Sequence, residues 1–129
     1  MMRGISTVTV YADDVAAAEE WYRDVFGIEA YFARPPHYVE FRVGDYQHEF
    51  GIIDRRFAPS HPETPGGAIV YWHVDDIHAA LKRLLELGAS EHEPVTERGP
   101  GFVTASVVDP FGNVLGVMYN QHYLDMLAA

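Results

Sequence analysis

The stretch from Ile5 to Gly27, ISTVTVYADDVAAAEEWYRDVFG, changes its period halfway along. Between Ile5 and Tyr11 the residues alternate, with Thr7, Thr9 and Tyr11 on one side and Val8 and Val10 on the other, the pattern of a strand with two unlike faces. Asp13-Asp14 then offers a side-chain acceptor and negative charge at a helix start. Val15, Ala18, Trp21, Tyr22, Val25 and Phe26 follow at helical spacing, and Gly27 is a natural stop. Beyond it, Ile28–Phe32, His37–Val43 and Tyr46–Ile53 read as three short strands, with Gly44-Asp45 turning between the last two.

The same order then recurs. Residues 54–67 are rich in Pro and Gly and have no period, so they read as a linker. Ala68–Val74 is strand-like, Asp75-Asp76 repeats the acidic cap, and Ile77, Ala80, Leu81, Leu84 and Leu85 mark a helix that stops at Gly88. Ala89–Glu93, Gly101–Val108 and Val114–Tyr119 complete the strands, with Gly99-Pro100-Gly101 and Asp109-Pro110-Phe111-Gly112-Asn113 as turns. Asp13-Asp14-Val15 is echoed 62 positions on by Asp75-Asp76-Ile77, and Phe50-Gly51-Ile52 is echoed 65 on by Leu115-Gly116-Val117. The expectation is an α+β protein of tandem βαβββ modules, about 4–54 and 67–120, joined by the 54–67 linker. A helical tail covers 121–129.

At 129 residues the chain is the size of one ordinary domain, and a chain of that length buries about two-thirds of its unfolded surface. Hydrophobic residues at 48% and charged residues at 22% place it with globular proteins. Without cysteine it has no disulfides, thiolate catalysis or thiolate metal ligands. Nine Lys+Arg against 19 Asp+Glu give a formal net charge of −10, a field that repels phosphate backbones and excludes nucleic acid as an expected partner. Neither a signal-type apolar segment nor a membrane-length apolar run stands in the sequence, so a cytoplasmic protein with no membrane partner is expected.

Three segments carry a resemblance: Val10-Tyr11-Ala12-Asp13-Asp14-Val15, Trp21-Tyr22-Arg23-Asp24-Val25-Phe26-Gly27 and Asp109-Pro110-Phe111-Gly112-Asn113. Together they resemble the vicinal-oxygen-chelate superfamily of glyoxalase I, extradiol dioxygenases, fosfomycin-resistance enzymes and bleomycin-resistance proteins. The resemblance implies two modules whose mixed sheets form a half-open cup, and a homodimer. It implies no single activity, because that fold serves isomerases, oxygenases, transferases and binders alike.

Metal-dependent members of the superfamily place His, Gln or Glu on the first strand of each module and usually Glu on the last. Carried onto this chain, those positions fall on Thr7, Ile69, Gly51 and Gly116, none with a carboxylate or imidazole. Counting from the Gly44-Asp45 turn instead puts Glu49 in place of Gly51, and His73 shares the parity of Ile69. No metal and no other cofactor is therefore expected, with Glu49 and His73 as the candidate catalytic residues, an acid–base couple if adjacent. His37, His61, His78 and His92 read as solvated, His48 has the opposite parity from Glu49, and His122 is a residue near the tail that could border a pocket or a dimer contact.

Parity gives the inner face Thr7, Thr9, Tyr11, Glu49 and Ile53 from the first module and Ile69, Tyr71, His73, Phe102, Thr104, Met118 and Asn120 from the second. Apolar and aromatic surface with a few polar handles suits a small organic ligand. The resulting expectation is a metal-independent binder of a small organic molecule, cationic or aromatic, most like the bleomycin-resistance branch. The alternative is a metal-dependent or Glu/His-based lyase, isomerase or dioxygenase-like enzyme.

Overall fold

The computed structural model describes residues 1–60 and 62–129, and His61 lies outside them. The chain divides into two units, Met1–His61 and Pro62–Ala129. In the first, β1 (Thr7–Ala12), α1 (Val15–Phe26), β2 (Phe32–Arg34), β3 (Tyr38–Val43) and β4 (His48–Asp54) form a sheet of order β1-β4-β3-β2. In the second, β5 (Val70–His73), α2 (Ile77–Glu86), β6 (Ser90–Gly99), β7 (Phe102–Val108) and β8 (Val114–Asn120) give the order β5-β8-β7-β6, and α3 (Gln121–Ala128) follows. The first strand of each unit runs parallel to the last, and the other pairings are antiparallel. This is the expected βαβββ order, twice.

The acidic pairs do what their spacing predicts. Asp14 accepts from the Ala17 backbone N–H and Asp76 from that of Ala79, each at 3.0 Å. These bonds satisfy a donor that a helix start otherwise leaves unpaired. Gly27 closes α1 in the left-handed conformation, φ 69°, and its N–H reaches the Arg23 carbonyl at 2.8 Å. The Asp109–Asn113 turn is held by one buried carboxylate. Asp109 Oδ1 accepts from the backbone N–H groups of Phe111 at 2.9 Å and Asn113 at 2.8 Å, and the Asn113 side-chain amide donates to Oδ2 at 3.0 Å.

In each unit the first helix, α1 or α2, covers one face of its own sheet. In the first unit Tyr22 and Phe26 of α1 meet Phe50, with ring centroids 4.8 and 5.2 Å apart, and Phe26 meets Phe41 at 5.5 Å. Ala12, Val39 and Ile52 fill the rest of that layer. The second core is aliphatic, with Ile77 and Leu84 of α2 buried together with Ala105, Val107, Leu115 and Val117. Alternation then assigns the polar residues of the same strands to the face opposite α1 or α2.

Most strand ends lie within two residues of expectation, and three segments differ in a way that has a physical reason. The strand expected at Ile28–Phe32 begins only at Phe32, because β2 pairs with β3 next to the Pro35-Pro36 turn, Arg34 opposite Tyr38. The strand expected to end at Glu93 runs on to Gly99. Pro94, which argues against a central strand, is accommodated because β6 is an edge strand with register shifts on both sides of Glu93. The segment expected to be a bare linker opens with a 3-10 turn at Arg55–Phe57, capped by Asp54, which accepts from the Arg56 N–H at 3.0 Å.

Candidate functional site

The face of the first sheet opposite α1 carries Thr7, Thr9 and Tyr11 on β1 and Glu49, Gly51 and Ile53 on β4, paired in that order. Next to them β3 contributes Arg42 beside Glu49, Glu40 beside Gly51 and Tyr38 beside Ile53. Glu49 is held by three neighbours. Arg42 donates to Oε2 from Nε at 3.3 Å and Nη2 at 3.2 Å, Tyr31 donates to Oε2 at 3.1 Å, and the Thr7 hydroxyl reaches Oε1 at 3.4 Å. The Arg42 guanidinium also lies 4.1 Å from the centre of the Tyr31 ring.

Beside this group Tyr38 donates a hydrogen bond to Glu40 Oε1. Partial burial pushes the Glu40 carboxyl above the usual carboxylate range. The Glu49 charge raises it further, and the Arg42 guanidinium offsets part of that rise. The Tyr38 phenol is raised by burial and then by Glu49. At the end of β4 the Asp54 carboxyl is held below its ordinary value, chiefly by the Arg56 backbone N–H and further by His37 and the Arg56 side chain, against an upward push from burial.

In the second unit the face opposite α2 carries Tyr71 and His73 on β5, Gly116, Met118 and Asn120 on β8, and Phe102, Thr104 and Ser106 on β7. His73 is engaged at both ring nitrogens. Nδ1 accepts the Asn120 backbone N–H at 3.1 Å, which assigns the proton to Nε2, placed 3.1 Å from Asp75 Oδ1. Tyr123 of α3 stacks on the imidazole at 4.8 Å and 9°. Glu49 and His73 thus belong to different units, and each is occupied by partners of its own.

Strand pairing answers which residue of β4 corresponds to Gly116. Thr9 lies beside Gly51 and Tyr71 beside Gly116, and Thr9 and Tyr71 stand at the same 62-residue offset as Thr7 and Ile69. Gly51 is the counterpart, and Glu49 sits one strand-face step away. Both glycines are roofed by a tyrosine. A Cβ on Gly51 would come within 2.6 Å of the Tyr38 phenol oxygen, and one on Gly116 within 2.6 Å of the Tyr71 ring. The space into which a carboxylate would extend is filled by an aromatic ring.

A divalent ion does not fit this donor set. Thr7 brings a hydroxyl, Ile69 an alkyl group, and the two glycines no side chain. Among the described residues no three His, Asp or Glu side chains gather in a way that could hold a metal.

Two histidines expected to be solvated have partners. His37 Nδ1 lies 3.1 Å from Asp54 Oδ2, and His92 Nδ1 lies 2.9 Å from the buried Ser106 hydroxyl. The expectation for His61 falls outside the described residues. Sequence reading missed Tyr31, Tyr38, Glu40 and Arg42. The alternation of Tyr38, Glu40 and Arg42 against Val39, Phe41 and Val43 carried the signal for three of them.

No curated protein sequence matches the chain significantly. Among solved structures, a lactoylglutathione lyase from Agrobacterium tumefaciens is 26% identical, with TM-score 0.69 over 91% of this chain and 93% of that one. A fosfomycin resistance protein from Listeria monocytogenes, solved with Mn(II) and a dihydroxypropylphosphonic acid, is 13% identical with TM-score 0.75, over 94% and 93% of the two chains. A third, from Agrobacterium tumefaciens and solved by solution NMR, is 19% identical with TM-score 0.75, over 92% and 98%. The last two, at such low identity, speak for the fold alone. The model of the Glyoxalase/Bleomycin resistance protein/Dioxygenase superfamily matches residues 4–117, and this chain, with its repeated βαβββ order and its Asp109–Asn113 turn, belongs to that family.

Proposed function

We propose that this protein is a metal-independent member of the family that binds a small organic molecule on a sheet face opposite α1 or α2. The reading rests on one observation: Tyr38 and Tyr71 fill the space over Gly51 and Gly116, where metal-dependent relatives extend a carboxylate. Without ligand side chains there, affinity comes from aromatic and apolar contact and from hydrogen bonds. Glu40, Glu49 and the net charge of −10 favour a neutral or cationic aromatic molecule over an anion. The protein acts as a homodimer in this reading, by analogy with its family.

The competing Glu49–His73 acid–base couple has less support. Arg42, Tyr31 and Thr7 already engage Glu49, and Asp75 and the Asn120 N–H already engage His73. A thermal-shift screen of aromatic amines, their neutral isosteres and aromatic carboxylates, run with EDTA and at low and high salt, tests the binding reading. Stabilisation by amines or neutral compounds with EDTA present is the expected result. Stabilisation by carboxylates alone, or only after metal is added, would overturn it.

A further inference from the structure

α3 is fastened to the second unit near its start. The Asn120 side-chain oxygen caps it, accepting from the Tyr123 backbone N–H at 3.1 Å, and the Asn120 N–H donates to His73 Nδ1 at 3.1 Å. The Gln121 N–H donates to the Gly101 carbonyl at 2.9 Å, and Gln121 Cβ lies 2.9 Å from where a Gly101 side chain would begin. Tyr123 then lays its ring flat on His73, with centroids 4.8 Å apart and planes 9° from parallel. Past Tyr123 the helix is poorly covered: none of its residues is buried, and Met126 and Leu127 are 56% and 44% exposed.

An eight-residue helix is too short to be stable by itself, so contact with the sheet decides whether α3 stays in place. Turning it away uncovers little further apolar surface at Met126 and Leu127, which already face water. What it does uncover is the imidazole of His73, whose side chain is 9% exposed with the Tyr123 ring on it. We propose that α3 is a displaceable plug: Tyr123 occupies on His73 the place of a planar aromatic ring of the ligand, which enters by exchanging with it. The proposal rests on the binding reading above and narrows it to a ligand with one aromatic face open for stacking.

The platform under Tyr123 is built without α3. His73 Nδ1 is held by the N–H of Asn120, the last residue of β8, and Nε2 lies 3.1 Å from Asp75 Oδ1. The Tyr119 ring flanks the imidazole at 5.5 Å. An incoming ring therefore meets His73 already oriented and restores the stacking contact that Tyr123 gives up. Because Tyr123 is tethered, it competes at high local concentration, and a free ligand sees only the fraction of molecules whose plug is open. A plug closed about nine-tenths of the time weakens binding about tenfold.

The probe is 4-methylphenol, the tyrosine side chain as a free molecule, read by the NMR signals of the His73 ring protons. Tyr123→Ala, checked by circular dichroism, is expected to bind it at least about tenfold more tightly than wild type, with those signals moved upfield by the stacked ring. Tyr123→Phe, which keeps a ring on His73, is expected to bind as weakly as wild type. 4-Methylcyclohexanol, of similar size with no aromatic face, is expected to leave the His73 signals in place. In wild type, saturating 4-methylphenol should speed amide hydrogen exchange across Asp125–Ala128 at least about fivefold and leave Val114–Tyr119 unchanged. Equal affinity of wild type and Tyr123→Ala, or α3 exchange unmoved with the probe on His73, overturns the plug. Stabilisation only of metal-loaded protein in the thermal-shift screen, with 4-methylphenol still seated on His73 in Tyr123→Ala, overturns the metal-independent reading and not the plug.

Discussion

Glu40 and Asp54 are shifted in opposite directions, and each shift has a consequence for stability. A carboxyl whose folded pKa is raised costs stability when ionised, and the cost disappears as pH falls below its ordinary unfolded value. Glu40→Gln, which keeps an acceptor for Tyr38, should therefore match or exceed the wild-type Tm at pH 7. That relative gain should vanish near pH 4. Thermal unfolding at both values reads it, and a lower Tm for the variant at pH 7 would contradict it. Asp54 has the other sign: its contribution is present above the unfolded value and is lost as pH falls through the depressed folded one, so Asp54→Asn should lower Tm at pH 7 and have less effect in acid. The identity of these groups was readable from the sequence, but their shifts were not. The Glu40 shift depends on burial and on the neighbouring Glu49, and the depression at Asp54 on donors supplied by the fold.

At the scale of elements, the echo at 62 residues exposed the fold because acidic caps, glycine stops and apolar spacing all repeated in one order. Edge behaviour was less legible. Pro94 carries a true local signal against a central strand, and β6 accommodates it at the sheet edge with a break in register. The Asp109 turn is the element most dependent on one side chain. Asp109→Ala should cost roughly 2–3 kcal/mol by leaving the Phe111 and Asn113 N–H groups without their acceptor, measurable by urea unfolding. The roof over Gly116 makes a second prediction. Gly116→Ala should destabilise by about 1–3 kcal/mol because the new methyl meets the Tyr71 ring, and Tyr71→Ala in the same chain should recover part of that loss. Equal costs in the presence and absence of the ring would refute the roof. The glycines themselves were visible in the sequence. That tyrosines lie over them depends on side-chain directions that parity alone does not specify.

For the molecule as a whole, the donor inventory departs from what metal-dependent members of the family carry. The Listeria monocytogenes fosfomycin resistance protein was solved with Mn(II), yet the four positions to which the family resemblance assigns ligands hold Thr7, Gly51, Ile69 and Gly116 in this chain. No helix among the described residues is long and apolar enough to cross a membrane. The most direct test of the account is elemental analysis of the protein purified without chelators, paired with calorimetric titration by Mn(II), Ni(II) and Zn(II). The account predicts far less than one ion per chain and no saturable heat. One tightly held ion per chain, lost on Thr7→Val or Glu49→Gln, would contradict it.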